Sequence, residues 1–250
     1  MSLSHTTFTS RLLVDAGIGP GMRVLDVGCG GGDVSFLLAE LVGCDGAVVG
    51  IDQSAAMLER AGQRVPAPGA VMPTFMGCDL HAVPASLGLF DAIVGRRVLM
   101  YLPDAVKAVR GLARLLLPGG VMAFQEHDTT LAPASLDTFP LHRKAQKWLQ
   151  RMLEREGADL HIGFNLHRIF TQAGLQVDDL RAECLVQTPE NAYGLGQIIQ
   201  ACLPRIVGLG VATAREVGIE TLQARLDAER LQSQGIYIGD LAFGVSAYKP

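Results

Sequence analysis

Short apolar runs alternate with helical patterns over residues 23–125. The runs that predict strands are Arg23–Val27, Ala47–Ile51, Thr74–Cys78, Phe90–Val94 and Val121–Gln125. After the first run the apolar side chains recur at the spacing of one helix face, at Val34, Leu37, Leu38 and Leu41. Further helices are predicted after Ser54, as an N-cap, and from Pro103–Asp104 to Pro118–Gly120. Continuous apolar strands separated by helices are typical of a parallel sheet covered on both faces, so we predict a doubly wound α/β fold.

This rhythm changes after Asp128. Residues 129–163 include a basic helical stretch that contains Arg143, Lys144, Lys147 and Trp148. It resembles a basic groove, but we interpret it as a solvated helix face. A further helix is predicted over Asn165–Ala173, with Gly174 as its C-cap.

The last part of the chain predicts a pair of strands, at 175–187 and 236–250, with a helical segment at 188–235 between them. An antiparallel pair needs only a short turn, so this long segment is interpreted as an insertion. We therefore predict one domain over the whole chain. Its parts are a core at 1–128, helical caps over a substrate pocket at 129–163 and 188–235, and the final strand pair.

The composition narrows the class of protein. The 250 residues are 49% hydrophobic with a mean hydropathy of +0.28, which excludes a disordered chain. With 21 Lys and Arg against 25 Asp and Glu, we expect no nucleic-acid partner. No apolar run is long enough to span a bilayer, and Met1–Ser10 lacks the apolar core of a signal peptide, so we expect no membrane association.

The cysteines and histidines do not form a metal-binding pattern. The five cysteines are scattered and never in CxxC spacing, so we expect neither a disulfide framework nor a zinc site. This usage is typical of a reduced, cytoplasmic protein. His161 and His167 are six residues apart with no carboxylate at metal-ligand spacing, so we predict no metal site.

A glycine-rich turn follows the first predicted strand, and its pattern is DxGxGxG at Asp26, Gly28, Gly30 and Gly32. Backbone N–H groups in such a turn can approach a ligand closely. A dinucleotide-binding GxGxxG turn would have glycine at position 33, where this chain has Asp33. The carboxylate of Asp26 suits a cationic ligand better than a pyrophosphate.

Two further acids follow the next two strands. Asp52 ends the second strand, 20 positions after Gly32, where a carboxylate can accept the hydroxyls of a ribose. Its alternative role is to cap the helix that begins near Ser54. Asp79 follows the third strand and is either a contact for an adenine amino group or a simple loop carboxylate.

Together these motifs resemble class I S-adenosylmethionine-dependent methyltransferases, in the group similar to ubiquinone/menaquinone-biosynthesis and natural-product small-molecule enzymes. The resemblance also covers Val49–Asp52, Cys78–Asp79, Phe90–Val94, Leu117–Val121 and the stretch Val98–Asp104. It implies a Rossmann-like methyltransferase fold with a seven-stranded, mostly parallel sheet. S-adenosylmethionine is the implied cofactor and S-adenosylhomocysteine the product.

The resemblance also implies a set of cofactor-binding residues. Asp26, Gly28 and Gly30 would hold the methionine part, Asp52 the ribose, and Asp79 with Leu80 the adenine. The full implied set is Asp26, Gly28, Gly30, Gly32, Asp52, Gln53, Met57, Asp79, Leu80 and Arg96.

The segment after the fourth strand limits the chemical class of the methyl acceptor. Enzymes of this type that methylate amino groups of nucleobases or glutamine carry Asn/Asp-Pro-Pro-aromatic there, whereas this chain has Gly95-Arg96-Arg97-Val98. The resemblance therefore implies a small-molecule acceptor, in secondary metabolism, and a monomer or homodimer. O-methylation is preferred over N- or C-methylation because a histidine follows the fifth strand.

That histidine, His127, is the first candidate for a general base, since imidazole titrates near neutral pH. The alternative is a hydrogen-bonded histidine with no role in proton transfer. Glu126 and Asp128 could orient His127, bind the acceptor or cap the next segment. Arg96 is a candidate for positioning an anionic acceptor, and Arg97 is interpreted as a structural or surface residue.

Two other function classes remain at this stage. One is an NAD-dependent oxidoreductase, against which Asp26 and Asp33 count. The other is a binding module that holds the cofactor without turnover, because methyl transfer needs few dedicated side chains.

Overall fold

The computed structural model describes residues 7–130 and 134–250. The strands in these residues are β1 (Arg23–Val27), β2 (Ala47–Asp52), β3 (Thr74–Gly77), β4 (Phe90–Arg96), β5 (Leu116–Asp128), β6 (Gln176–Gln187) and β7 (Tyr237–Tyr248). The α-helices are α1 (Phe8–Asp15), α2 (Asp33–Val42), α3 (Ala55–Gly62), α4 (Ala105–Ala113), α5 (Pro140–Arg155), α6 (Ile162–Gln172), α7 (Leu195–Gly208), α8 (Ala214–Val217) and α9 (Ile219–Gln232). No helix in this described part is both long and apolar enough to cross a membrane.

The strands form one sheet in the order β3-β2-β1-β4-β5-β7-β6. β1 pairs in parallel with β2 and β4, β2 with β3, and β4 with β5, and an antiparallel pair lies at one edge. The predicted doubly wound, mostly parallel sheet is confirmed. Because β1, β2, β4 and β5 are parallel, their carboxyl ends lie along the same edge of the sheet.

The chain divides into two compact units, and the division falls within β5, β6 and β7. Unit 1 consists of the described residues up to Glu126 together with Phe164–Arg181 and Phe243–Pro250. Unit 2 consists of the described residues of His127–Gly163 and of Ala182–Ala242. Within unit 2, α5 packs on α7 and α9, and α7 packs on α9.

The core of unit 1 confirms the helix-face pattern of α2. Val34, Leu37 and Leu38 are at most 5% exposed, and they pack against Val24 of β1 in one apolar cluster. Leu41 is half-buried at the edge of this cluster. Each fully buried aliphatic side chain of this kind contributes about 1.5–3 kcal/mol to stability.

The boundary between α4 and β5 differs from the sequence prediction. The helix ends at Ala113, and Pro118–Gly120 lies inside β5 instead of ending the helix. The register with β4 shifts there, because Phe90 pairs with Leu116 whereas Ala92 pairs with Val121. Two backbone hydrogen bonds hold this irregular stretch. The Gly119 N–H donates to the Lys249 carbonyl, and the Lys249 N–H donates to the Gly120 carbonyl. A bulge of this kind tolerates proline, which has no N–H to donate.

The basic stretch of α5 is partly as predicted. Arg143, Lys144 and Lys147 are exposed, as expected of a solvated helix face. Trp148 is only 5% exposed and belongs to the core of unit 2, so its assignment to the solvated face was wrong. The Lys144 ammonium lies 5.4 Å from the Trp148 ring centroid.

Candidate active site

The glycine-rich turn is a backbone cradle at the carboxyl end of β1. Gly28, Gly30 and Gly32 have φ values of +64°, +52° and +82°, which L side chains rarely adopt. A Cβ at Gly28 would lie 2.5 Å from a methyl carbon of Val98. Gly32 is the N-cap of α2, so the first N–H groups of that helix are at the cradle.

Asp26 is a buried carboxyl group in β1, directly before the cradle. It is 1% exposed, and the Ser35 hydroxyl donates to its Oδ2 at 2.5 Å. Burial raises the pKa of Asp26 to about 7, against the opposing effects of the Ser35 hydrogen bond and the positive charge of Arg96. A cationic ligand group would favour the ionised form of this carboxyl.

Asp52 joins the end of β2 to the glycine-rich turn. Its Oδ2 accepts from the Gly30 N–H at 2.9 Å, and its Oδ1 accepts from the Ser54 N–H at 2.8 Å. Ser54 itself is the N-cap of α3, since its side chain accepts from the Met57 N–H. The carboxylate is half-buried, so the structure brings Asp52 to the cradle as well as to the start of the helix.

The other residues predicted to bind the cofactor in this region are Gln53, Met57, Asp79 and Leu80. The Gln53 side-chain amide donates to Asp79 Oδ1 at 3.0 Å. The Met57 methyl carbon lies 3.6 Å from the position of a Cβ on Gly30. Leu80 is half-buried and begins a short 3-10 turn after β3. These side chains are all in unit 1, as are the cradle and Asp52.

Arg96 is the last residue of β4 and lies in a polar cluster with Thr9 of α1. Its guanidinium lies 3.7 Å from Asp33 Oδ2 and donates to the Thr9 hydroxyl at 3.5 Å. Thr9 in turn donates to Gln125 Oε1 at 2.6 Å. Sequence reasoning missed both Thr9 and α1, although the N-cap Thr7 before an apolar run was a usable signal.

Glu126 is the last residue of β5 that belongs to unit 1. Its Oε1 accepts from the Val98 and Leu99 N–H groups at 2.9 and 2.8 Å, so it holds the turn that packs on Gly28. Glu126 is fully buried, and its Oε2 has no hydrogen-bond partner among the described residues. Burial raises the pKa of Glu126 to about 7. The adjoining Arg97 has a φ of +58°, an unusual conformation for arginine.

His127, the first residue of unit 2, pairs with a carboxylate that sequence reasoning missed. The distance from its Nδ1 to Asp240 Oδ2 is 2.7 Å, and the two residues are 4% and 9% exposed. Asp240 is the fourth residue of β7. A pairing between residues 113 positions apart leaves no local signal in the sequence.

The unit 1 residues fit S-adenosylmethionine. A ligand can come close to the backbone of the cradle because three of its residues are glycines without side chains. Asp26 offers a buried carboxyl to a cation. Asp52 offers carboxylate oxygens to ribose hydroxyls, and Asp79 with Leu80 offers a polar and an apolar contact to a base.

The comparisons with known proteins agree with this fit. A family model described as a methyltransferase domain matches residues 18–174, well over half of the chain. A 2-phytyl-1,4-naphtoquinone methyltransferase of Synechococcus elongatus is 37% identical over 115 residues, 46% of this chain and 49% of that protein. An aklanonic acid methyltransferase of a Streptomyces species is 38% identical over 104 residues, 42% of this chain and 47% of that protein. The chain thus spans about half the length of these curated relatives.

A solved structure supports the fold independently. Phosphoethanolamine N-methyltransferase 2 of Haemonchus contortus, in complex with S-adenosyl-L-methionine, has a TM-score of 0.60 at 20% identity, covering 97% of this chain and 52% of that one. At this identity the likeness speaks for the fold alone. The family match decides the cofactor in favour of S-adenosylmethionine over NAD. The chain therefore belongs to the methyltransferase-domain family, in the class I group that uses S-adenosylmethionine.

Proposed function

We propose that this chain methylates an oxygen atom of a small organic acceptor, with His127 as the general base. S-adenosylmethionine, when bound, supplies an electrophilic methyl group and leaves as S-adenosylhomocysteine. A small-molecule acceptor is supported by the names of two relatives, which act on a naphthoquinone and on aklanonic acid. We also propose a role in secondary metabolism, which the resemblance to natural-product methyltransferases implies.

The cofactor roles in this proposal follow the geometry of unit 1. Asp26, Gly28 and Gly30 hold the methionine part, and Asp52 holds the ribose. The other residues that we assign to the cofactor are Gly32, Gln53, Met57, Asp79, Leu80 and Arg96. The hydrogen bond from the Gly30 N–H to Asp52 supports this assignment, because it holds the carboxylate assigned to the ribose beside the cradle.

The observation that carries O-methylation is the buried imidazole of His127. His127 comes two residues after Gln125, which pairs with Arg96 at the carboxyl end of β4. An amine needs only its free-base form to react, whereas a hydroxyl must lose a proton. In the proposed step the O–H bond of the acceptor breaks, the proton moves to His127, and the oxygen electron pair forms the new bond to the methyl carbon.

Arg96 and Glu126 complete the proposal as groups that orient the acceptor. Arg96 carries a positive charge and is half-buried at the end of β4, so it suits an acceptor with an anionic group. Glu126 has one carboxyl oxygen fixed by two backbone N–H groups, which leaves Oε2 as the atom suited to a ligand. We also propose a reducing, cytoplasmic location, because the five cysteines are scattered along the chain and never in CxxC spacing.

The experiment combines binding with turnover. The purified protein is titrated calorimetrically with S-adenosylmethionine, S-adenosylhomocysteine and NAD. It is then incubated with methyl-¹³C S-adenosylmethionine and three probes, a 1,4-naphthohydroquinone, a monophenol and a primary amine. We expect binding of the two sulfur compounds and a methoxy product from a hydroxyl probe. His127→Ala should slow turnover by about 10²–10⁴-fold with unchanged cofactor affinity.

Each part of the proposal can fail separately. An N-methyl product from the amine, with none from the hydroxyl probes, would replace O-methylation by N-methylation. Cofactor binding without product from any probe would favour a binding module. A His127→Ala variant at full speed would remove the base assignment, with His161→Ala as the control, since His161 is an exposed histidine of the same unit.

A further inference from the structure

The described part of unit 2 contains two buried histidines, each paired with a carboxylate at the same Nδ1–oxygen distance. His127 Nδ1 lies 2.7 Å from Asp240 Oδ2, and His142 Nδ1 lies 2.7 Å from Glu229 Oε2. The two histidines are 4% and 1% exposed. Burying such a pair carries a desolvation penalty, so each pair calls for a physical reason.

The pair of His142 and Glu229 is explained by the start of α5. Glu229 Oε1 accepts from the Leu141 N–H at 2.8 Å, and Oε2 accepts from the His142 N–H at 2.9 Å. These are N–H groups of the first helical turn, which have no partner within the helix. The His142 ring packs beside Phe139 and Tyr237, with centroid distances of 5.4 and 4.9 Å. This carboxylate therefore stabilises a helix terminus and an aromatic cluster.

The pair of His127 and Asp240 lies in a different setting. It joins the end of β5 to β7, and neither residue is at the end of a helix. Asp240 Oδ1 accepts from the adjoining Leu241 N–H at 2.9 Å, while Oδ2 faces the imidazole. The contact with Asp240 Oδ2 occupies the Nδ1 atom of His127. A carboxylate on Nδ1 favours the tautomer with hydrogen on that nitrogen and stabilises the ring when it becomes cationic.

We infer that Asp240 is the positioning residue of His127, which it holds with hydrogen on Nδ1 so that Nε2 is the atom that takes the proton of a phenol or enol hydroxyl. This inference rests on the proposed O-methylation. In the step, the acceptor O–H bond breaks and an Nε2–H bond forms. The positive charge that develops on His127 faces the negative charge of Asp240, and the proton later passes to solvent.

The acceptor class follows from the strength of the base. An imidazole with an ordinary pKa near 6.5 removes the proton of a phenol, with a pKa near 10, at an equilibrium cost of roughly 10³–10⁴. A hydroxyl as weakly acidic as water, with a pKa of about 15.7, would cost roughly 10⁹. The ratio of the two costs depends only on the pKa values of the acceptors, so it is the same for any imidazole base. Phenols and enols are thus within reach of this pair, whereas simple alcohols are not.

The test compares the same chemical change at the two pairs. Asp240→Asn removes the charge beside His127, and Glu229→Gln removes the charge beside His142. Both variants and the wild type are labelled with ¹⁵N-histidine and assayed with the 1,4-naphthohydroquinone probe. Nitrogen chemical shifts report which ring nitrogen of His127 carries the hydrogen, and they do so without turnover.

We expect hydrogen on Nδ1 of His127 in the wild type and in Glu229→Gln, and a loss of that preference in Asp240→Asn. In Asp240→Asn kcat should fall by about 10²–10⁴-fold, with KM and the affinity for S-adenosylmethionine within about twofold of wild type. Glu229→Gln should keep its kcat and lose thermal stability, as expected of a helix cap. Asp240→Glu should recover part of the kcat and the Nδ1 preference.

Failure of this inference differs from failure of the proposed function. A wild-type His127 with hydrogen on Nε2, or an Asp240→Asn variant with unchanged kcat on the phenolic probe, would overturn the role of Asp240 while O-methylation stands. Methylation of the amine probe alone would overturn O-methylation and with it the assigned acceptor class. The wild-type nitrogen shifts decide the tautomer even where Asp240→Asn does not fold.

Discussion

Glu126→Gln tests whether the buried carboxyl at the end of β5 is held in its neutral form. The side chain is fully buried, one oxygen accepts two backbone N–H groups, and the other has no partner among the described residues. Burial raises the pKa of Glu126 from its usual 4.5 to about 7. Gln keeps an oxygen that can accept from Val98 and Leu99, but it does not titrate.

The magnitude follows from the linkage between proton binding and folding. Below pH 4.5 the carboxyl is protonated in the folded and in the unfolded chain. Between pH 4.5 and 7 only the folded chain keeps the proton, so the free energy of unfolding falls as the pH rises. At about 1.4 kcal/mol for each tenfold change in proton affinity, the loss is about 3 kcal/mol and is complete above about pH 7.

The assay is equilibrium unfolding in urea at about pH 5 and about pH 8. Other titrating groups, Asp26 included, contribute equally to both proteins, so the difference between Glu126→Gln and the wild type isolates Glu126. The free energy of unfolding of Glu126→Gln relative to that of the wild type should be about 2–3 kcal/mol higher at about pH 8 than at about pH 5. If the difference is the same at both pH values, Glu126 is not held neutral by its burial.

Three further predictions concern the cofactor cradle. Asp52→Ala should weaken S-adenosylmethionine binding by about 1–3 kcal/mol, and an unchanged calorimetric affinity would remove Asp52 from the ribose site. Gly28→Ala should lower the free energy of unfolding by about 2–4 kcal/mol, because it combines a left-handed φ with a clash on Val98. The control Gly111→Ala, in an open position of α4, should instead stabilise by about 0.5–1 kcal/mol. With a pKa of about 7, Asp26 should make S-adenosylmethionine bind about tenfold more tightly at pH 8 than at pH 6, and in Asp26→Asn this pH dependence should vanish.

The parts of the fold that the sequence predicted are those decided by local patterns. The bounds of β1 match the apolar run Arg23–Val27, and Ser54 is the N-cap that its position before α3 indicated. The pairing of Asp52 with the cradle was also predictable, because adjacent parallel strands end at one edge of a sheet. Nothing in these inferences requires knowledge of distant residues.

The parts that were missed depend on contacts between distant residues. The Pro118–Gly120 stretch has the composition of a helix stop, but its backbone is held in β5 by Lys249 at the other end of the chain. Asp240 was passed over for the same reason, since only the fold brings it to His127. Trp148 follows three exposed cations in sequence, and only the packing of α5 on its neighbours in unit 2 determines that its ring is buried.

The two ends of the sheet in unit 1 differ in how completely their polar groups are satisfied. At the amino end of β1, the Arg23 N–H donates to Asp91 Oδ2 at 2.8 Å, and its guanidinium donates to the Leu87 and Leu89 carbonyl oxygens. At the carboxyl ends of β1 and β5, Asp26 and Glu126 are buried carboxyl groups with pKa values raised to about 7. The cost of a buried, poorly solvated carboxyl is tolerated in a fold when a ligand compensates for it. A cation bound beside Asp26 would do so, and for this reason S-adenosylmethionine should raise the midpoint of thermal unfolding more at about pH 8 than at about pH 6.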